Sequence, residues 1–158
     1  MSESAFSTIG RRLERETPIA WSRLPWATAL AAAVAAGITS LIYLGAREIG
    51  DIDQAVVLPS LLGMGPFSLQ SVAATAVSAT LAAGGLLGVL ALITRRPVRN
   101  FRFVATALAL VSLTMPATIP GPPVQMRLTM AAMHVAVWAV AVSILPSLAV
   151  RVQHRASK

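Results

Sequence analysis

Residues 82–111 read AAGGLLGVLALITRRPVRNFRFVATALALV, and in this stretch two long uncharged segments meet at a short basic connection. The uncharged run 55–94 ends here, four arginines follow within eight positions, and the uncharged run 103–125 begins. A helix rises about 1.5 Å per residue, so roughly 20 apolar residues cross the ~30 Å hydrocarbon core of a bilayer. The stretch therefore predicts two membrane-spanning helices joined by a tight, positively charged loop.

Basic residues alternate between the two sides of the predicted helices along the whole chain. Two further uncharged runs cover 24–46 and 128–150, and eleven of the thirteen Lys and Arg residues lie before the first run, between the second and third, or after the fourth. Only Arg47 and Arg127 lie in the other two connections. Since cytoplasmic loops of membrane proteins are enriched in Lys and Arg, we expect an all-α, four-span transmembrane helical bundle with both termini in the cytoplasm.

The same pattern divides the chain into three segments. We expect a cytoplasmic N-terminal lead over 1–23, a four-helix transmembrane domain over 24–150 and a basic cytoplasmic tail over 151–158. The first apolar run is longer than the roughly 7–15 residues of a signal-peptide core, so it is interpreted as a retained span. The four spans are expected at residues 25–44, 69–93, 101–115 and 126–148, the third being short for the hydrocarbon core.

Composition restricts the class of protein and its partners. Charged residues make up 12% of the chain, against roughly 25% in soluble domains, and the mean hydropathy is +0.72. The formal charge of +7 lies beside apolar spans and forms no basic face with interleaved aromatics, so no nucleic-acid partner is expected. The lipid bilayer is the expected partner, with anionic lipids at the cytoplasmic face.

Cysteine is absent, which excludes disulfides, thiol catalysis and cysteine-ligated metal centres. Five methionines besides Met1 fall in the outer half of the predicted bundle, and thioether groups suit copper(I). Methionine is also an ordinary packing residue, and we favour that interpretation, so neither a metal site nor a cofactor is predicted. Twelve of the thirteen basic residues are arginine, which favours a GC-rich bacterial genome and a plasma-membrane location.

The segment 55–62 after the first span is apolar, but Pro59 interrupts it, and Gly63, Gly65 and Pro66 follow it. It is too short to span a membrane. We expect a short interfacial or re-entrant segment, the second being tolerable at membrane depth only where the backbone is buried in protein.

Small residues recur at four-residue intervals in the first two spans. Such spacing lets two membrane helices approach closely, and it predicts helix packing through Gly37, Thr80, Gly84 and Gly88. The Gly84–Gly88 pair is typical of both dimer contacts and contacts inside one bundle, and we favour the second.

Arg127 is the first candidate for a binding role. It begins the fourth span on the outer side, where the positive end of the helix dipole disfavours a cation. We expect it to reach water or to form an ion pair with Glu48, Asp51 or Asp53 of the first outer loop. Binding of an anionic headgroup or substrate is the alternative.

His134 lies seven residues later and therefore on nearly the same helix face as Arg127. An ionisable residue inside a span is a functional candidate. A neutral histidine bonded to a neighbouring helix is the favoured interpretation, with proton relay, ligand binding or metal binding as alternatives.

The sequence contains no nucleophile elbow, phosphate-binding loop, HExxH motif or paired carboxylates within a span. We therefore expect a protein that is not an enzyme: a structural or interaction component of the cell membrane, acting alone, as a homo-oligomer or with another membrane protein. The alternative is a small-solute or ion- or proton-coupled transporter that uses Arg127 and His134 near the outer face.

Three short motifs carry a family resemblance: Arg-Arg-Pro at 95–97, Ser-Leu-Thr-Met-Pro at 112–116, and Met-Arg-Leu-Thr-Met at 126–130 followed by Met133 and His134. The chain resembles a family of small, uncharacterised four-helix integral membrane proteins common in actinobacteria. The resemblance is specific across residues 94–134. It implies the four-span topology and no particular activity.

Overall fold

A computed structural model describes residues 19–49, 57–60, 63–118 and 122–150. Within these ranges the chain is built from four long helices, all of them long and apolar enough to cross a membrane. A two-stranded antiparallel hairpin, β1 (Val57–Ser60) and β2 (Gly63–Pro66), lies between the first two helices. The helices are α1 (Leu24–Glu48), α2 (Leu69–Ile93), α3 (Pro97–Thr118) and α4 (Val124–Ala149).

The helix boundaries follow from local chemistry. Ser68 and Ser71 form a reciprocal capping box at the start of α2, with N···O distances of 3.2 and 3.0 Å. After α2 ends, only residues 94–96 precede α3, which begins at Pro97, a residue well suited to a first helical turn.

The third span is longer than the sequence suggested. The helix extends from Pro97 through Pro116 to Thr118, four residues before and three residues after the span expected at about 101–115. Proline lacks an N–H, so position 116 cannot bond the Ser112 carbonyl, yet this loss falls in the last turns, where a helix tolerates it. With 22 residues, α3 is about 33 Å long and covers the hydrocarbon core without mismatch.

The two ends of the bundle differ in charge. The N–H of Ala20 donates to the Ala149 carbonyl at 2.7 Å, which places the start of α1 beside the end of α4. Gly88, near the end of α2, faces Leu24 at the same end. This end, called the basic end below, therefore gathers the arginines that precede α1 and follow α2, namely Arg23, Arg95, Arg96, Arg99 and Arg102.

The closest helix contact joins α1 to α2. Ala27, Ala31 and Ala35 are fully buried on α1, and the side chain of Thr28 occupies the space in which a Cβ at Gly84 would stand. The Thr28 hydroxyl donates to the Leu24 carbonyl of its own helix at 2.8 Å, so this apolar contact contains a satisfied polar group.

Gly88 also lies on this contact, and Thr80 is on the same face of α2, one turn before Gly84. Thr80 is fully buried and donates to the Ala76 carbonyl at 2.8 Å. A Cβ added at Gly88 would stand 3.2 Å from Leu24 Cδ2. Small side chains at these positions allow the close approach of the two helices.

Gly37 does not belong to this contact, and the expectation that it packs against another helix of the bundle is wrong. It is exposed, and a Cβ added there would meet no atom within 4 Å. The buried face of α1 passes through Ala35 and Thr39. Position 37 is two helical steps of about 100° from each of them, and so points to the opposite side.

The hairpin occupies most of the segment predicted to be interfacial or re-entrant. Val57 pairs with Pro66 and Ser60 with Gly63, so the two strands use backbone groups of each other. Directly after β2, Phe67 contacts Tyr43 near the end of α1. The two rings meet edge to face, with their centroids 5.5 Å apart and their planes at 71°. The Tyr43 hydroxyl donates to the Phe67 carbonyl at 3.2 Å. The interfacial or re-entrant position of the segment remains a prediction.

Candidate functional site

A cavity of about 570 Å³ lies between α2, α3 and α4, with Thr39 of α1 at its back. Small-molecule sites in proteins measure roughly 300–1,000 Å³, so the space is large enough for a ligand. Its wall is mostly apolar, and alanines are the commonest residues in it. On α2 and α3 these alanines are Ala76, Ala79, Ala82, Ala83, Ala105 and Ala109.

The wall of the cavity includes α3, which is the least buried of the four helices. Only 11% of the most apolar part of α3 is buried, against 28% to 33% in the other three helices. The buried residues of α3 are near its two ends: Pro97 and Phe101 at the basic end and Pro116 at the other. Between them, Trp138 Nε1 of α4 donates to Thr106 Oγ1 of α3 at 3.1 Å.

The cavity opens sideways. Its exposed lining residues lie on two helices, with Thr75, Ala79 and Ala82 on α2 and Leu108 and Met115 on α3. The opening is therefore between α2 and α3, at the level of the helices and not at an end of the bundle. In a chain whose helices cross a membrane, such an opening faces hydrocarbon.

The cavity is about one leaflet long on α3 and α4 and longer on α2. Its lining runs from Ala105 to Met115 on α3, from Met130 to Ala141 on α4 and from Ser71 to Leu86 on α2, about 15, 17 and 22 Å along the helix axes. Half of the ~30 Å hydrocarbon core is about 15 Å. On α3 the lining begins near the middle of the helix and extends away from the basic end.

His134 of α4 lines the cavity and is half-buried. Its Nδ1 lies 2.7 Å from the carbonyl oxygen of Met130, one helical turn earlier. A carbonyl can only accept, so we assign the proton of the neutral ring to Nδ1. Nε2 is then an acceptor, and among the described residues it has no hydrogen-bond partner, although it is not sealed from access.

Most other polar groups of the cavity donate to nearby partners. Thr39 Oγ1 donates to the Ala35 carbonyl at 2.9 Å, and Ser112 Oγ donates to the Ala109 carbonyl at 2.8 Å. The Trp138 N–H is committed to Thr106. The lining therefore offers oxygen lone pairs and one ring nitrogen, but few hydrogen-bond donors.

Arg127 does not reach this cavity. Its Nε donates to the Pro122 carbonyl at 3.0 Å, five residues earlier in the chain, and its side chain is half-buried. Glu48 is exposed, and no ion pair joins it to Arg127 in the described structure. Asp51 and Asp53 lie outside the described residues, so pairing of Arg127 with them remains a prediction.

Among the methionines, Met115, Met130 and Met133 contribute to the apolar wall of the cavity. Within the described ranges no group of three or more histidines or acidic residues could hold a metal ion.

The cavity itself was not predicted from the sequence. The available signal was the run of alanines along one side of α2, together with Ala105 and Ala109 one turn apart on α3. Small residues of this kind equally describe a closely packed interface. Only the position of α3 separates a close contact from a cavity.

Comparison with known proteins supplies a family and no activity. No curated protein and no solved structure matches the chain. A family profile matches residues 20–153, which include all four helices, the hairpin and the cavity. The chain therefore belongs to the family of unknown function DUF6069.

Proposed function

We propose that the protein is a non-enzymatic component of a bacterial plasma membrane that binds a lipid-soluble molecule between α2, α3 and α4. The observation that carries this proposal is the 570 Å³ apolar cavity with its opening between two membrane helices. A water-soluble substrate would enter from an end of the bundle, whereas a molecule dissolved in the bilayer can enter from the side.

The chemistry of the cavity favours an apolar occupant. Its lining is mostly apolar, and apolar cavities hold water poorly. A hydrocarbon chain that enters from the bilayer would contact this wall in place of water.

The orientation that we propose places the basic end, and with it both termini, in the cytoplasm. Arg23, Arg95, Arg99 and Arg102 are exposed at this end. Each arginine near an anionic leaflet contributes about 1 kcal/mol, so anionic lipids are the partners that we propose for it. The opposite end of the bundle contains only Arg47 and Arg127 among the described basic residues.

Trp138 supplies an experiment because it lies in the cavity wall. With Trp21 and Trp26 replaced by phenylalanine, Trp138 is the only tryptophan in the chain. In nanodiscs that contain phosphatidylcholine with brominated chains, a chain in the cavity should quench its fluorescence strongly.

The matched variants are Ala109→Phe, which fills the cavity, and Ala107→Phe, which adds the same ring to the exposed side of α3. The first should reduce the quenching and the second should not. Equal quenching in the two variants would refute binding in the cavity.

Transport is the second candidate, and one observation favours it. His134 is only about 4 Å along the axis from the middle of the 26-residue α4, and it borders the cavity. If the protein transports protons, a pH gradient across proteoliposomes should collapse faster than across protein-free liposomes. The His134→Gln variant should lose this acceleration. A rate equal to that of protein-free liposomes would exclude a proton-coupled leak.

A further inference from the structure

We infer that the cavity selects a neutral lipid-soluble molecule that donates a hydrogen bond to Nε2 of His134, an alcohol or phenol in chemical class, over a plain hydrocarbon chain. The inference rests on the proposed binding function and adds the chemistry of the ligand. It follows from the ring nitrogen that remains available, the scarcity of donors around it and its depth in the bundle.

The available nitrogen is defined by the contact on the other side of the ring. The bond from Nδ1 to the Met130 carbonyl, at 2.7 Å, commits the only proton of the neutral imidazole. A doubly protonated ring would place a cation deep in the hydrocarbon region, where charge is expensive. Nε2 of His134 therefore keeps a lone pair, and because His134 lines the cavity, we infer that this lone pair is available to the occupant.

The neighbouring groups reinforce this selection. The hydroxyls of Thr39 and Ser112 donate to carbonyls of their own helices, and the indole N–H of Trp138 donates to Thr106. A ligand carbonyl, carboxylate or phosphate would accept hydrogen bonds, and around His134 it would find no available donor among these groups. Thr75 has no such bond to any described residue, but it stands on the exposed edge of the cavity.

The depth of His134 makes the contact selective. It is ten residues from the start of α4, about 15 Å along the axis, and thus well inside the hydrocarbon region. No bulk water reaches this level, so a ligand hydroxyl that found no acceptor there would be left unpaired at a high cost. An O–H that meets Nε2 avoids that cost, whereas a hydrocarbon or ether gains nothing from the nitrogen.

The test compares dodecanol with dodecyl methyl ether, which differ mainly in the presence of the O–H. Each competes with the brominated chains in nanodiscs for the full-length protein with Trp138 as its only tryptophan, and recovery of fluorescence reports displacement. Dodecanol should displace the chains at about fivefold lower concentration than the ether, the equivalent of about 1 kcal/mol for one hydrogen bond.

Two variants at position 134 locate the preference. His134→Leu should abolish the difference between the two ligands, so that dodecanol and the ether displace the chains at the same concentration. His134→Gln keeps an acceptor oxygen and should retain part of the preference.

The outcomes separate this inference from the proposed function. If Trp138 is quenched equally in Ala109→Phe and Ala107→Phe, nothing binds in the cavity and both proposals fail. If the chains bind there but the alcohol and the ether displace them equally from the wild-type cavity, the inference is overturned while the proposed function stands. If His134→Leu still prefers the alcohol over the ether, the inference about Nε2 is also overturned.

Discussion

Replacement of Gly84 by alanine tests the closest contact in the bundle. The added Cβ would overlap the side chain of Thr28, and overpacking of this kind typically costs about 1–3 kcal/mol. The same substitution gains up to ~1 kcal/mol because alanine favours the helix over glycine. Gly85 is the matched control, since it is the next residue of α2 and an added Cβ there meets nothing within 4 Å.

The difference between the two variants isolates the steric effect, because the gain in helix propensity is common to both. Gly84→Ala should be about 1–3 kcal/mol less stable than Gly85→Ala. Reversible unfolding in mixed micelles, followed by circular dichroism, measures the difference.

A second substitution identifies the atoms responsible. Thr28→Ala removes the side-chain atoms that would overlap the new Cβ, so Thr28→Ala combined with Gly84→Ala should recover most of the loss. Residues in direct contact show coupling of roughly 0.5–3 kcal/mol in such cycles. Equal stability of Gly84→Ala and Gly85→Ala would refute the proposed contact, and additive effects of the two substitutions would refute the role of Thr28.

Two further predictions follow from the contacts of α3 and of the hairpin. Phe101 is fully buried and Phe103 is 77% exposed. In micelles, Phe101→Ala should therefore lower the free energy of unfolding by about 3–5 kcal/mol, whereas Phe103→Ala should change it little. Similar losses in both variants would contradict the role of Phe101 as the anchor of α3. Tyr43→Phe removes the hydrogen bond to the Phe67 carbonyl but keeps the ring contact. It should lower the free energy of unfolding by about 1–3 kcal/mol and increase hydrogen exchange of the backbone amides at the start of α2. Unchanged exchange there would argue against a stabilising role of this hydrogen bond.

The four helices could be predicted from the sequence because length, apolarity and charge all point to the same segments. The uncharged runs and the arginines between them locate the four helices, and α2 follows the predicted 69–93, whereas α3 begins inside the basic connection at Pro97. The third span was predicted at 101–115, shorter than α3, because the basic residues before it and Pro116 after it do not show how far a helix continues past the apolar run. Proline is disfavoured inside a helix but suits its first turn and is tolerated in its last.

The sequence could not separate the two faces of α1. Small residues at positions 33 and 37 and at 32 and 36 have the same spacing, and periodicity alone cannot say which set meets α2. In the structure the fully buried positions 27, 31 and 35 face inward, and Gly37 faces outward. The distinction depends on the partner surface, where Thr28 fits against Gly84, and no local signal encodes it.

The candidate site was predicted only in part. His134 was singled out because it is ionisable and lies inside a span, and the structure places it at the cavity. Arg127 was grouped with it on one helical face, but seven residues separate the two by about 10 Å along the axis. Arg127 instead bonds Pro122 outside the cavity. Depth along a helix, as well as face, decides which residues share a site.

Native mass spectrometry tests the central claim most directly, that a lipid-soluble molecule occupies the space between α2, α3 and α4. Protein extracted gently from its own membrane should retain an additional mass of about one bound molecule in the wild type and in Ala107→Phe. Ala109→Phe should lose that mass because the new ring fills the cavity. Retention of the same mass by Ala109→Phe, or its absence from the wild type, would contradict the account.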